Sequence, residues 1–72
     1  MRLPLYALGE RELKKQKPLL KGTDVRKLQQ ILKHLGFFQA RVDGVFGDET
    51  SFSVKKFQRA LGKRPNGVVD KN

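Results

Sequence analysis

One short pattern occurs twice in this chain of 72 residues, and it restricts the possible folds more than any other feature. Two apolar residues three apart are followed by a glutamine, first as Val25-x-x-Leu28-Gln29 and again as Val54-x-x-Phe57-Gln58. Similar turns come after the two copies, Asp43-Gly44-Val45-Phe46 and Asn66-Gly67-Val68-Val69. Because a single unit of this size cannot bury its apolar face alone, we expect the two units to pack against each other.

The first copy lies on a predicted helix over residues 24–35. Thr23 is suited to cap its start, Asp24 places a negative charge in its first turn, and Gly36 is suited to end it. Apolar residues three or four apart form one face of this helix: Val25, Leu28, Ile31, Leu32 and Leu35.

A second helix is predicted from Glu49 to Leu61, capped by Asp48 and ended by Gly62. One face of this helix carries Thr50, Ser53, Val54, Phe57 and Leu61. The periodicity of both helices assigns these residues to the core: Val25, Leu28, Leu32, Leu35, Phe37, Phe46, Val54, Phe57 and Leu61. Gln29 and Gln58 are predicted to bond the backbone of the turns.

Residues 1–19 are predicted to form an extended lead-in arm, and residues 20–72 the domain proper. Pro4, Gly9 and Pro18 interrupt the arm, and no sustained period appears in it. Leu13 and Leu19 of the arm, and Leu20 directly after it, could each pack on the core.

Composition restricts the partners and the kinds of site that the chain can have. The net charge of +9 attracts polyanions without specifying which one. There is no Cys and one His, so we predict no Cys/His metal site and no cofactor. No apolar run approaches the length of about 18 residues that a membrane span needs, so no membrane insertion is expected. The N-terminal segment does not resemble the apolar region of a signal peptide.

Catalysis is not expected. Most of the seven acidic residues have a capping or turn role, and no pair has a spacing that general acid–base chemistry requires. The chain also lacks a thiol, a G-x-S-x-G elbow and an H-E-x-x-H motif. His34 is predicted on the polar side of the first helix.

Together, the two helices and the glycine-containing turns described above resemble the peptidoglycan-binding-like domain family. The resemblance rests on Thr23-Asp24-Val25, Leu28-Gln29, Leu32, Leu35-Gly36-Phe37, Val42-Asp43-Gly44-Val45-Phe46-Gly47, Thr50, Val54, Phe57-Gln58 and Gly67-Val68-Val69. It implies an all-α fold, a small bundle of three helices with the third short. Ser53 stands where the family usually has Ala, Asn66 replaces an Asp, and the chain ends at Asn72, where the third helix would begin. That helix is therefore predicted to be short or truncated.

The resemblance implies a non-catalytic, monomeric module that binds peptidoglycan and anchors a covalently linked wall-lytic enzyme. Its expected location is extracytoplasmic, at a cell wall or spore envelope, or in a phage lysin. Two alternatives are a basic helical domain that binds nucleic acid and an intramolecular docking module. The spread of basic residues and the long turn between the helices disfavour a helix-turn-helix, so no nucleic-acid partner is expected.

Candidate ligand-binding residues are those that the helical pattern does not require: Phe38, Gln39, Arg41, Asp43 and Phe52. Phe38, at the rim, and Phe52, off the apolar face, would offer aromatic surfaces. Arg41 would pair with a carboxylate and Gln39 with amide groups. Asp43 is suited to stabilise the turn or to accept a ligand. Alternatively, the two phenylalanines cover the arm or a neighbouring domain. We interpret the basic run around the end of the second helix as a solvated face. Its members are Lys55, Lys56, Arg59, Lys63 and Arg64.

Overall fold

The computed structural model describes residues 2–71 and contains two α-helices there. Helix α1 spans Thr23–His34 and helix α2 spans Asp48–Ala60. Both predicted helices are confirmed, each beginning one residue earlier than expected. Neither helix is long and apolar enough to cross a membrane.

The predicted bundle of three helices is wrong for this part of the chain, since no third helix occurs within residues 2–71. Val69 instead exchanges two backbone hydrogen bonds with Leu13, at 2.9 and 2.8 Å. That pairing requires an extended backbone at Val69 and is incompatible with a helix there. Asn72, where the third helix is expected to begin, lies outside the described residues.

The predicted caps are also corrected. Gly22 and Gly47 occupy the N-cap positions, and neither helix has a side-chain cap. Thr23 is instead the first residue of α1, and its hydroxyl accepts a hydrogen bond from the Tyr6 amide and donates one to the Tyr6 carbonyl, both at 2.9 Å. Asp48 is the first residue of α2. The arm folds over the start of α1, and the backbone of Tyr6 bonds the Thr23 hydroxyl. This hydroxyl is therefore not used as a helix cap.

Seven apolar side chains form the buried core: Leu13, Val25, Leu28, Leu32, Phe38, Phe46 and Val54. Five of them were predicted to be core, and Leu13 and Phe38 were not. Phe37 and Phe57 are half-buried and meet edge to face, with ring centroids 5.5 Å apart. The arm therefore contributes to the core through Leu13, which lies before the boundary predicted at residue 20.

Leu35 and Leu61 were predicted to be core, but they are 49% and 55% exposed. Each is the C-cap residue of its helix, directly before a glycine with positive φ. At these ends the apolar stripes extend past the buried cluster, and no third helix covers them in the described part of the chain. The glycine endings at Gly36 and Gly62 are confirmed.

An ion pair joins the arm to α1. The Arg11 guanidinium donates from Nε to Asp24 Oδ2 at 2.8 Å and from Nη2 to Asp24 Oδ1 at 3.0 Å, while the Asp24 side chain is fully buried. The same guanidinium lies 3.7 Å from the centre of the Tyr6 ring. The hydrogen bond to Asp24 raises the pKa of Arg11 above its ordinary value. Asp24 thus has a tertiary partner as well as its place in the first turn.

Gln29 holds the turn between the helices. Its Oε1 accepts hydrogen bonds from the amides of Asp43 and Gly44, at 3.1 and 2.8 Å. Its Nε2 donates to Asp43 Oδ1, the Val45 carbonyl and Thr50 Oγ1, at 2.9 to 3.1 Å. Since Gln29 is buried, these bonds form without competition from water.

Gln58 repeats this arrangement in the second turn. Its Oε1 accepts from the Gly67 amide at 2.9 Å, and its Nε2 donates to Asn66 Oδ1 and the Val68 carbonyl. Gly44 and Gly67 have nearly the same backbone conformation, with φ of +77° and +76°, which disfavours any side chain at either position. The predicted role of both glutamines and the internal repeat are therefore confirmed at the level of hydrogen bonds.

We predict that Gln29→Ala lowers the free energy of unfolding by about 3 kcal/mol, because the buried turn amides lose their acceptor. Gln30→Ala, the same substitution at the exposed neighbouring position, should change it by less than about 0.5 kcal/mol. Urea denaturation followed by circular dichroism measures both. Equal effects of the two variants would show that the buried amide does not hold the turn.

A second prediction concerns the arm. Leu13→Ala should cost about 3 kcal/mol of stability, because it leaves a cavity in the core. Leu5, in the same arm, is 85% exposed, so Leu5→Ala should leave the urea midpoint unchanged. If Leu13→Ala behaves like Leu5→Ala, the arm does not pack on the domain in solution.

Candidate functional site

A shallow groove of about 500 Å³ runs between the loop after α1 and the first half of α2. We call it the aromatic groove, and its lining residues are Phe37, Phe38, Gln39, Ala40, Arg41, Glu49, Phe52, Ser53 and Lys56. A hollow of about 290 Å³ adjoins it and shares part of its lining, including Phe38 and Arg41. Asp43 lines this hollow. The structure therefore places Phe38, Gln39, Arg41 and Phe52 in the groove and Asp43 in the adjoining hollow.

The end of α1 fixes the loop that forms one wall. The amides of Phe37 and Phe38 both donate to the Leu32 carbonyl, at 2.8 and 3.2 Å. Gln39 Nε2 donates to the Gly36 carbonyl at 3.0 Å. These bonds lie directly beside the groove, so its loop wall has a defined backbone conformation.

Phe38 does not lie at the rim, as predicted from its position after a core residue. It is only 2% exposed and belongs to the buried core, while Phe37 is the half-buried residue of the pair. The cause is the turn at Gly36, after which both amides bond to Leu32 and the Phe38 ring enters the core. Phe38 is thus part of the floor of the groove and offers little surface to a ligand.

Phe52 is the exposed aromatic residue of the site. It is 59% exposed, which confirms the prediction that it lies off the apolar face of α2. One helical turn later, Lys56 places its Nζ 5.0 Å from the centre of the Phe52 ring, within the range of a cation–π contact. Phe52 and Lys56 together form the helical wall of the groove.

Arg41 and Gln39 are exposed on the opposite wall. Among the ion pairs within residues 2–71, none includes Arg41, and no hydrogen bond there uses Gln39 Oε1. Arg41 lines both the groove and the hollow. The placement leaves its guanidinium available to a ligand in either one.

Asp43 has a structural role in the turn. Its Oδ1 accepts from the Val45 amide at 3.0 Å and from Gln29 Nε2 at 3.1 Å. The first is the Asx-type bond that suits a turn. Contact of Asp43 with a ligand stays a prediction.

Acidic groups lie at the start of α2. Asp48 pairs with Lys15 of the arm, and the hydrogen bond from Lys15, followed by its charge, lowers the pKa of Asp48. Glu49 lines both the groove and the hollow. Within residues 2–71, no cluster of three or more His, Asp or Glu side chains is placed to hold a metal ion.

Sequence reasoning missed five lining residues of the groove, and two of these are charged, Glu49 and Lys56. Glu49 was predicted only as the first residue of the second helix, and Lys56 as part of a solvated basic face. The helical spacing between Phe52 and Lys56 could have identified the latter, because residues four apart on a helix are neighbours.

A family model described as "Putative peptidoglycan binding domain" matches residues 21–72. The chain belongs to this peptidoglycan-binding domain family. The match begins at Lys21, so the whole arm, residues 1–19, precedes it.

Curated relatives of the domain include wall-lytic enzymes. The chain is 40% identical over 48 residues to a spore cortex-lytic enzyme of Halalkalibacterium halodurans, covering 67% of this chain and 14% of that protein. It is 42% identical over 65 residues to the N-acetylmuramoyl-L-alanine amidase CwlM of Mycobacterium tuberculosis, covering 88% of this chain and 16% of that protein. The chain thus corresponds to about a sixth of the length of these relatives.

The fold of the domain also resembles a solved structure. The crystal structure of the SleB N-terminal domain matches with a TM-score of 0.79 and 33% sequence identity, over 89% of this chain and 84% of that one. Because that match covers more of the chain than the family model does, it also includes part of the arm.

The different burial of Phe38 and Phe52 leads to a prediction about stability. Phe38→Ala should lower the free energy of unfolding by about 4 kcal/mol, since it removes a buried ring. Phe52→Ala, the same substitution at the exposed position, should change it by less than about 0.5 kcal/mol. Thermal and urea denaturation measure the difference, and a destabilised Phe52→Ala would show that its ring packs on the protein.

Proposed function

We propose that this chain is a non-catalytic module that holds an attached wall-lytic enzyme on peptidoglycan, and that the aromatic groove is its binding surface. The observation that carries the proposal is the placement of Phe52, Arg41 and Gln39 around one open groove, in a chain of this family. None of the three side chains belongs to the buried core. Gln39 also bonds the Gly36 carbonyl, which leaves its Oε1 for a ligand.

The chemistry of the groove suits the wall polymer. An exposed aromatic ring packs against the apolar face of a sugar or the methyl groups of a peptide. The Gln39 amide can donate to and accept from acetamido or peptide groups. The groove is open and shallow, so a long polymer can lie along it without threading its end into a pocket.

The walls are largely formed before a ligand arrives. The loop is bonded to the end of α1 through Leu32, and Phe52 stands on a helix. A preformed surface loses less conformational entropy on binding than a mobile one. This supports useful affinity from a small contact area.

Anchoring would act through effective concentration. A catalytic domain tethered to a wall-bound module meets its substrate at a local concentration that free diffusion does not provide. The names of the relatives, spore cortex-lytic enzyme and amidase, fit such an arrangement. For this chain we propose the same: a covalently linked hydrolase, a monomeric binding module and an extracytoplasmic location at a cell wall or spore cortex.

The test is retention of the purified chain on insoluble peptidoglycan at low and at physiological salt, with chitin and DNA-cellulose as controls. We expect retention on peptidoglycan at both salt concentrations and little on the controls. Phe52→Ala should weaken retention about fivefold, as expected for loss of one aromatic contact.

Leu61→Ala is the matched control, because Leu61 is similarly exposed but lies at the far end of α2. If the chain is retained on every polyanion at low salt and on none at physiological salt, the proposal is contradicted. The net charge alone would then explain the retention. If Phe52→Ala and Leu61→Ala weaken retention on peptidoglycan equally, the assignment of the groove as the binding surface is contradicted.

A further inference from the structure

We propose that the aromatic groove recognises the charged stem peptide of peptidoglycan in preference to its glycan. This inference rests on the proposed function and names the part of the polymer that the groove binds. It is carried by the charges along the groove, together with the exposed ring between them.

Three charged side chains line the groove: Arg41 on the loop wall, and Glu49 and Lys56 on α2. None of the three takes part in an ion pair within residues 2–71, where the paired residues are Arg11 with Asp24, Lys14 with Glu12 and Lys15 with Asp48. The cations of the groove therefore keep their capacity to pair with a ligand.

A neutral sugar chain matches this surface poorly. Covering Arg41 and Lys56 with uncharged hydroxyl and acetamido groups would remove water from two cations without supplying a counter-charge. A peptide with free carboxylates supplies that charge. Arginine can bind a carboxylate through two parallel hydrogen bonds, and lysine contributes a compact positive charge.

The remaining groups fit the same ligand. Glu49 can pair with the free amino group of a diamino acid in the stem peptide. Phe52 lies beside Lys56, whose Nζ is already over its ring, so a carboxylate bound at Lys56 brings neighbouring methyl groups to the aromatic surface. Gln39 can bond the peptide amides. A ligand with carboxylates, an amine and small apolar groups thus meets a partner for each.

The experiment compares three soluble probes by NMR titration of the full chain. The first is a stem tetrapeptide with free carboxylates, the second is the same peptide with its carboxylates converted to carboxamides, and the third is a neutral chito-oligosaccharide. We expect the carboxylate peptide to bind tightest and to shift the amide resonances of Arg41, Phe52 and Lys56. Amidation should weaken it by about tenfold, as for loss of a charge-assisted contact.

Single substitutions test which side chains of the groove bind the peptide carboxylates. Arg41→Ala should weaken binding of the carboxylate peptide by about tenfold, and Lys56→Ala by a smaller factor, since lysine lacks the two-bond geometry. Arg64→Ala and Lys27→Ala remove the same charge types away from the groove and should leave the affinity unchanged. Both Arg41→Ala and Lys56→Ala should weaken binding of the amidated peptide less than they weaken binding of the carboxylate peptide.

Some outcomes overturn this inference alone. Equal binding of both peptides, tighter binding of the chito-oligosaccharide, or equal weakening by Arg41→Ala and Arg64→Ala would each do so, while retention on insoluble peptidoglycan would keep the proposed function. Failure of the chain to be retained on insoluble peptidoglycan would overturn the proposed function and this inference together.

Discussion

The buried side-chain amide of Gln29 joins α1 to the turn and to the start of α2. Its oxygen accepts from two turn amides, and its nitrogen reaches Asp43, Val45 and Thr50. A polar group in this position would be costly without partners, and with them it fixes the path of the chain. Phe46 is thereby delivered to the core, and Glu49 and Phe52 to the groove. The path of the turn and the start of the helical wall therefore depend on this one residue.

The arm depends on a second buried contact. Asp24 has no exposure to solvent, and Arg11 neutralises it with two hydrogen bonds. Removing one partner of such a pair would leave an uncompensated buried charge. With the pair in place, Leu13 reaches the core and bonds to Val69, and the arm lies over the start of α1. A domain of this size has a small core, so one additional leucine matters to it.

Local patterns predicted the helices, their glycine endings, the turn glutamines and the exposure of Phe52. Each of these depends on neighbours within a few residues, or on the repeat. The failures involve contacts between distant segments. Leu13 has no periodic context, so its burial could not be read from the arm. Phe38 and Leu35 both look apolar in sequence, yet one is buried and the other exposed, since only the loop after Gly36 decides which of them meets the core.

Sequence by itself determined the two helix-and-turn units and the family, because spacing and glycine positions are written in the order of residues. It also selected Phe38, Gln39, Arg41, Asp43 and Phe52 as residues that the helical faces do not require. Only the tertiary structure decided that these residues meet at one groove and the hollow beside it. The same packing places Phe38 in the floor of the groove and adds Lys56 and Glu49 to its walls. The physical reason is that a binding surface is formed by side chains from separate segments, and their proximity depends on how the whole chain packs.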